Sequence, residues 1–249
     1  MTTPQTQQKK TALVTGASRG IGAAVAERLA RDGFSVLVNY AGRQDAADAV
    51  VRRIEAAGGR AQSVQADVSD PTAFPRMFDA AEAAFGGVDV LVNNAGIGKF
   101  VRFADFDDAL FDQHVAVNFK GTFNGLREAA CRLRDGGRII NFSTSVVGMR
   151  METYGVYAAT KAAVETMTAV LSKELRGRNI TVNCVAPGPT ATELFLHGKS
   201  PELVDRMAKL NPLERLGTPE EIAASVAFLA GPDGGWINGQ VLRANGGMI

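Results

Sequence analysis

Hydrophobic positions along the chain alternate between two textures. Short runs rich in Val, Ile and Leu recur at residues 11–15 (TALVT), 34–39 (FSVLVN), 61–66 (AQSVQA), 88–93 (VDVLVN), 137–143 (GRIINFS), 179–186 (NITVNCVA) and 239–244 (GQVLRA). Runs of that length, β-branched and bounded by Gly, Asn or Asp, predict strands. Between them lie alanine-rich segments with apolar residues three and four apart, such as AAVAERLARDG, AADAVVRRIEAAGG and EEIAASVAFLAG, which predict helices. Several close on Gly, the residue suited to a left-handed cap. Thr218-Pro219-Glu220-Glu221 reads as an N-cap, a Pro at the first helical position and an acidic first turn. Alternating strands and helices with short connections predict an α/β fold: a doubly wound parallel sheet of about seven strands with helices on both faces. No linker, repeat or low-complexity block interrupts the pattern. One domain is expected over 11–249, after a polar, frayed start (MTTPQTQQKK, 1–10).

Composition narrows the partners. The 249 residues carry 27 Lys and Arg against 26 Asp and Glu, a net charge of +1, so the basic footprint of a nucleic-acid binder is absent. No stretch reaches the roughly 20 apolar residues of a membrane span, and the first residues lack the apolar core of a signal peptide. Cys131 and Cys184 sit in apolar surroundings and read as small buried residues of a reducing compartment. A cytoplasmic protein is expected. His114 and His197 belong to no cluster at ligand spacing, so no metal site is expected.

The first strand runs straight into Thr15-Gly16-Ala17-Ser18-Arg19-Gly20-Ile21-Gly22 and then a helix. Glycines at 16, 20 and 22 suit a tight turn, a close approach of backbone to a pyrophosphate, and close helix–strand packing. The helix N-terminus that follows offers free N–H groups to the phosphates. Without a following G-K-[ST], a triphosphate-binding loop is excluded. Asp67-Val68 ends the third strand, where a carboxylate suits an adenine amino group. Asn93-Asn94-Ala95-Gly96 ends the fourth, either as part of a ligand crevice or as a plain strand cap. The second strand ends Val38-Asn39-Tyr40-Ala41-Gly42-Arg43, with no carboxylate before Asp45 to accept a ribose 2′-hydroxyl. Arg19 and Arg43 suit a 2′-phosphate instead, which favours NADP(H) over NAD(H); either arginine is otherwise solvated surface.

The segment YGVYAATK (154–161) puts Tyr157 and Lys161 four apart, on one helix face, with Tyr154 a turn upstream. A phenol with a pKa of about 10 exchanges its proton poorly near neutrality. A nearby ammonium, joined by an oxidised nicotinamide, is expected to lower that value. Tyr157 therefore takes the chemistry and Tyr154 a place on the pocket wall.

T-G-x-x-x-G-x-G, N-N-A-G, a serine ahead of Y-x-x-x-K, and a following P-G occur here in one order from Thr11 to Gly247. Together they resemble the short-chain dehydrogenase/reductase family, in its single-domain, Rossmann-like branch, near the 3-oxoacyl-carrier-protein reductases and related ketone reductases. The resemblance implies an NADP(H)-dependent oxidoreductase acting on a ketone or secondary alcohol. It implies Tyr157 as general acid and base, and Lys161 also bonding the nicotinamide ribose. A serine on the loop after the fifth strand would orient the substrate oxygen: Ser145 by the following VVG, with Ser143 in reserve. The interval 157 − 145 = 12 is one shorter than the commonest family spacing and implies a deletion in 149–153. Asn118, in HVAVNFKG, would position a water beside the lysine. In Pro187-Gly188-Pro189-Thr190-Ala191-Thr192, backbone groups would meet the carboxamide, and Thr190 or Thr192 the pyrophosphate. Asn245 stands where the family more often has aspartate. A homotetramer packed through the Tyr157 helix is also implied. A non-catalytic nucleotide sensor of the same fold is the rival, disfavoured because Ser145, Tyr157 and Lys161 are all present.

Residues 190–217 form one long excursion, either a substrate-side lid or a plain helix pair. Val147, Met151, Tyr154 and Phe195 are expected to line an apolar pocket for a carbonyl with hydrocarbon bulk; the same residues would serve equally as core.

Overall fold

The computed structural model describes residues 9–249. The frayed start expected for 1–10 falls mostly on residues outside that range, while Lys9 and Lys10 are exposed and precede the first strand. Chain order runs β1 (Thr11–Val14), α1 (Gly20–Arg31), β2 (Ser35–Tyr40), α2 (Gln44–Ala56), β3 (Arg60–Gln65), α3 (Ala73–Phe85) and β4 (Val90–Asn93). It continues with α4 (Asp108–His114), a π-helical turn (Val115–Lys120), α5 (Gly121–Arg132), β5 (Arg138–Phe142), α6 (Val146–Met149), α7 (Gly155–Glu174) and β6 (Thr181–Pro187). It closes with α8 (Glu193–Leu196), α9 (Pro201–Ala208), α10 (Pro219–Ala230) and β7 (Val241–Ala244). The sheet has seven strands in the order β3-β2-β1-β4-β5-β6-β7, each neighbouring pair parallel.

Central strands bury both faces, which explains why they read as continuous apolar runs. Alternate residues feed two separate cores. Ala12, Val14, Val36, Val38, Val90 and Val92 pack under α1, α2 and α10, whereas Leu13, Leu37 and Leu91 pack under α3, α5 and α7. Small side chains thus line the face where Ala23, Ala26 and Ala30 of α1 meet Ala223, Ala227 and Ala230 of α10, and they let those helices sit close. β3 is an edge strand, and Arg60, Gln62 and Gln65 on it are exposed, a polar rim that discourages further pairing. The Thr218 hydroxyl accepts from the Glu221 N–H while the Glu221 carboxylate accepts from the Thr218 N–H, a reciprocal cap for α10.

One expectation about the cysteines is corrected. Cys184 is buried in β6, but Cys131 is exposed, because it falls on the outward side of α5. No helix among the described residues is long and apolar enough to cross a membrane.

Candidate functional site

Sheet order reverses between β1 and β4, and the crevice beyond their carboxyl ends is where such a sheet binds ligands. The turn after β1 is held there by side chains from three strands. Gly16 has φ +61°, and a Cβ on it would lie 2.9 Å from Ala95 Cα. A Cβ on Gly22 would meet Asn94 Nδ2 at 2.5 Å and overlap the Gly16 carbonyl. Asn94 Nδ2 donates to the carbonyls of Thr15 (2.8 Å) and Gly16 (3.1 Å), and Thr15 Oγ1 accepts from the N–H groups of Asn94 and Ala95, both at 3.0 Å. Asn39 Oδ1 accepts from the Gly16 N–H at 3.2 Å while its Nδ2 donates to Ala66 O at 3.0 Å. Asn94 is thus a strut of the turn. Asn93 points elsewhere, donating to Asn141 Oδ1 inside the sheet at 2.9 Å.

A cleft of about 370 Å³ opens on this turn. Gly16, Ser18, Arg19, Gly20, Ile21 and Gly22 line it from the turn, Tyr40 and Arg43 from the end of β2, Asp67 and Val68 from beyond β3, and Asn94, Ala95 and Gly96 from beyond β4. No side chain caps the start of α1, where Arg19 is extended, and its first turn holds no acidic residue. Those free N–H groups and the bare glycine backbone fit a pyrophosphate. Asp67 Oδ1 accepts from the Ser69 N–H at 2.9 Å, and the Val68 carbonyl accepts from Asn124 Nδ2 at 3.0 Å. Arg19 and Arg43 stand exposed at the rim, and both reach one oxygen of Glu193, at 2.7 and 3.3 Å. The hydrogen bond and charge of Arg19 hold the Glu193 carboxyl below its ordinary range.

A second cavity of about 190 Å³ contains Tyr157 and Lys161 and shares Asn94, Gly96, Thr192 and Leu194 with the cleft, so the two are continuous. Met151, Tyr154 and Phe195 line it as expected for a pocket wall, but Val147 does not; α6 turns Val146 inward in its place. Phe100, which the sequence did not single out, stacks on Tyr154 with ring centroids 4.2 Å apart and meets Tyr157 edge-on at 5.5 Å.

Burial sets both acidities in the free protein. Burial raises the Tyr157 phenol to about 12, opposed by a hydrogen bond from the Thr144 side chain and reinforced by Tyr154. Burial also lowers the Lys161 ammonium to about 8. Lys161 is 4% exposed and donates to the Phe142 carbonyl at 3.0 Å. In the free protein burial is the largest influence on both groups, and it opposes the charged form of each.

Ser143, Thr144 and Ser145 all line the cavity that holds Tyr157. Ser145 is 2% exposed; its Oγ donates to the Ala186 carbonyl at 3.3 Å and accepts from Asn245 Nδ2 at 2.9 Å. Both its donor and an acceptor position are therefore occupied by protein. Ser143 Oγ is likewise committed, donating to Glu165 Oε1 at 2.5 Å. Thr144 lines the cavity beside them, and 157 − 144 = 13 restores the commoner family interval without a deletion. Asn245 has a direct consequence here: an amide can donate to Ser145, whereas an aspartate could not.

Asn118 is buried in the π-helical turn, a distortion frequent at functional sites. Its side chain accepts from the Ile97 N–H (2.8 Å) and donates to the Ile97 carbonyl (2.9 Å), fixing the strand that carries Gly96 past Lys161. His114, fully buried, accepts from the Lys99 N–H at Nε2 (3.0 Å) and contacts the Leu110 carbonyl at Nδ1 (2.8 Å), pinning the same loop. Beyond β6, Gly188 N–H donates to the Ala244 carbonyl at 3.0 Å, Pro187 and Gly188 line the cavity, and Thr190 Oγ1 donates to the Gly188 carbonyl at 3.0 Å. Thr192 Oγ1 caps α8 by accepting from the Phe195 N–H at 3.2 Å. Among the described residues no His, Cys, Asp and Glu cluster could hold a metal.

This geometry has close counterparts. A family model described as enoyl-(acyl carrier protein) reductase matches residues 16–249. A short-chain type dehydrogenase/reductase of Picea abies is 47% identical over 96% of this chain and 92% of its own length. An NADPH-dependent aldehyde reductase-like protein, chloroplastic, of Arabidopsis thaliana is 46% identical over 96% of this chain and 94% of its own. The solved structure of a short-chain dehydrogenase from Burkholderia cenocepacia in complex with NADP superposes with a TM-score of 0.92, at 39% identity, over 97% of this chain and 99% of that one. The glycine turn, the Tyr157–Lys161 helix and a match along nearly the whole length make this chain a member of the short-chain dehydrogenase/reductase family.

Proposed function

We propose that the protein is an NADP(H)-dependent reductase of aldehydes and ketones, with Tyr157 as its proton donor. The observation that carries this is a buried tyrosine and lysine in a small apolar cavity continuous with an anion-ready cleft. When bound, the coenzyme supplies or accepts the hydride. Tyr157, held protonated by its burial, donates its proton to the carbonyl oxygen, and the phenolate left behind is stabilised by Lys161, still largely an ammonium at neutral pH. Thr144 bonds the same oxygen and orients the substrate. Asn118 keeps the Gly96–Ile97 backbone in place beside Lys161. Arg19 and Arg43 meet the 2′-phosphate as bidentate donors. Residues 190–217 serve as a substrate-side lid, with Leu194 and Phe195 closing the pocket to water. Phe100, Met149, Met151, Tyr154 and Phe195 make the wall apolar and aromatic, which favours a carbonyl carrying hydrocarbon bulk.

Two coarser points complete the reading. Exposed Phe119, Phe123 and Val170 lie on α5, α7 and the turn before them and offer apolar surface for a homotetramer. The free thiols Cys131 and Cys184 suit a reducing compartment such as the cytoplasm. The test is NADPH oxidation against a panel of aldehydes, cyclic ketones, quinones and acyl thioesters. Tyr157→Phe is expected to lower kcat by about 10²–10⁴-fold with NADPH affinity kept. Equal rates for the variant and wild type would remove the assignment.

A further inference from the structure

Glu193 occupies a position that the coenzyme should claim. It is the first residue of α8, and its carboxylate sits between the two guanidinium groups at the adenosine end of the cleft, 2.7 Å from Arg19 and 3.3 Å from Arg43. A carboxylate and a phosphate ask the same thing of an arginine: oxygen acceptors for its paired N–H donors. The cleft lining includes Glu193 itself, so the carboxylate lies within the space and not behind it. We propose that Glu193 is an internal stand-in for the 2′-phosphate, holding Arg19 and Arg43 in the free protein and displaced when NADP(H) binds. This rests on the assignment of those two arginines to the 2′-phosphate.

Displacement has a mechanical consequence, because α8 walls both cavities. Thr192 and Leu194, on either side of Glu193, line the cleft and the pocket alike, and Phe195 lines the pocket. The Thr192 methyl also lies 3.5 Å from where a Cβ on Gly20 would stand, so the root of α8 rests on the phosphate turn. Lys199 stacks over Phe195, 4.7 Å from its centroid, and donates to the Phe195 carbonyl, carrying the contact into the rest of 190–217. A ligand with a 2′-phosphate therefore frees α8 from its arginine anchor, and a ligand with only a hydroxyl there leaves the anchor intact. Glu193 makes the pocket wall respond to which dinucleotide has arrived.

Calorimetric titration of the full chain with 2′,5′-ADP and with 5′-AMP tests this without nicotinamide or turnover. Wild type is expected to bind 2′,5′-ADP more tightly than 5′-AMP. Glu193→Gln and Glu193→Ala should each tighten 2′,5′-ADP by about fivefold, the scale of an exposed ion pair, and leave 5′-AMP unchanged. In wild type, saturating 2′,5′-ADP should also speed tryptic cleavage after Arg206, and 5′-AMP should not. Unchanged 2′,5′-ADP affinity in both variants, with wild-type discrimination intact, overturns the stand-in alone. Equal wild-type binding of the two fragments, or discrimination that survives in Arg19→Ala/Arg43→Ala, overturns the arginine assignment and the stand-in with it.

Discussion

Beneath the cleft, Thr15, Asn39, Asn94 and Asn118 tie β1, β2 and β4 to one another and to the loop beyond β4 through buried side chain–backbone hydrogen bonds; Asn39 is 1% exposed. Above it, residues 190–217 carry Leu194, Leu196, Leu203, Leu210 and Leu213 with large exposed areas, Leu194 at 53%. That roof reaches the rest through surface pairs such as Arg19–Glu193, while Thr190 and Gly217 bridge its own two ends. The floor positions atoms, because each buried polar group there has its place fixed by a partner it cannot lose without a desolvation penalty. The roof encloses, and surface pairs of this kind contribute little to stability, so it can move. Precision and mobility are assigned to different segments of one chain.

Four substitutions sharpen that contrast. The largest effect should come from Thr144→Val, which removes the hydroxyl beside Tyr157: kcat for carbonyl reduction falls by about 10–100-fold, the scale of a hydrogen bond to a developing charge. Ser145→Ala, whose hydroxyl serves Asn245 and Ala186, should lose less than about threefold. The reverse ranking in steady-state kinetics would return the orienting role to Ser145. Next, Gly22→Ala forces a methyl onto Asn94 and the Gly16 carbonyl and should cost about 1–3 kcal/mol in urea unfolding, with weaker NADPH binding. The roof variant Leu194→Ala should stay within about 0.5 kcal/mol of wild type and alter KM for bulky substrates instead. Similar losses of stability in the two would erase the distinction between floor and roof.

A further effect is expected of pH. Burial lowers the folded pKa of Lys161 to about 8 from an ordinary 10.5. Between those values the unfolded chain holds a proton that the folded one has released, so stability rises with pH, and below 8 the folded state bears the whole penalty. Tyr157 acts oppositely only above its ordinary 10, since its folded value is about 12. Unfolding of the coenzyme-free protein should therefore show a gain on the order of 1 kcal/mol from pH 8 to 9, above which the buried Cys184 thiol, raised to about 12 from an ordinary 9, opposes it. Lys161→Met should flatten that gain, and a slope that persists in the variant would assign it to another group.

β1, β2, β4, β5 and β6 were legible because burial on both faces leaves an unbroken apolar run at each, whereas the partly exposed edge strands β3 and β7 were legible from their place in the alternation with helices. Tyr157 and Lys161 were legible because a fixed helical spacing decides which side chains share a face. The remainder depended on quantities no spacing encodes. Ser143, Thr144 and Ser145 all reach the pocket because of where β5 ends and α6 begins, and the same turn brings Val146 inward in place of Val147. The sign of the tyrosine shift in the free protein follows from how deeply the pair is buried, which spacing does not report. The exposure of Cys131 turns on what covers α5. Asn39 did leave a signal, a lone amide in an apolar strand one residue before Tyr40.

The last five residues reach back across the structure. Asn245 grips Ser145 and accepts from the Gly247 N–H, Met248 lines the substrate cavity, and Ile249 fills the space that a side chain on Gly148 would need. A purification tag fused behind Ile249 would therefore pull on the active site itself. Fusion ahead of β1, whose starting end lies across the sheet from the cleft at the strands' carboxyl ends, leaves it undisturbed.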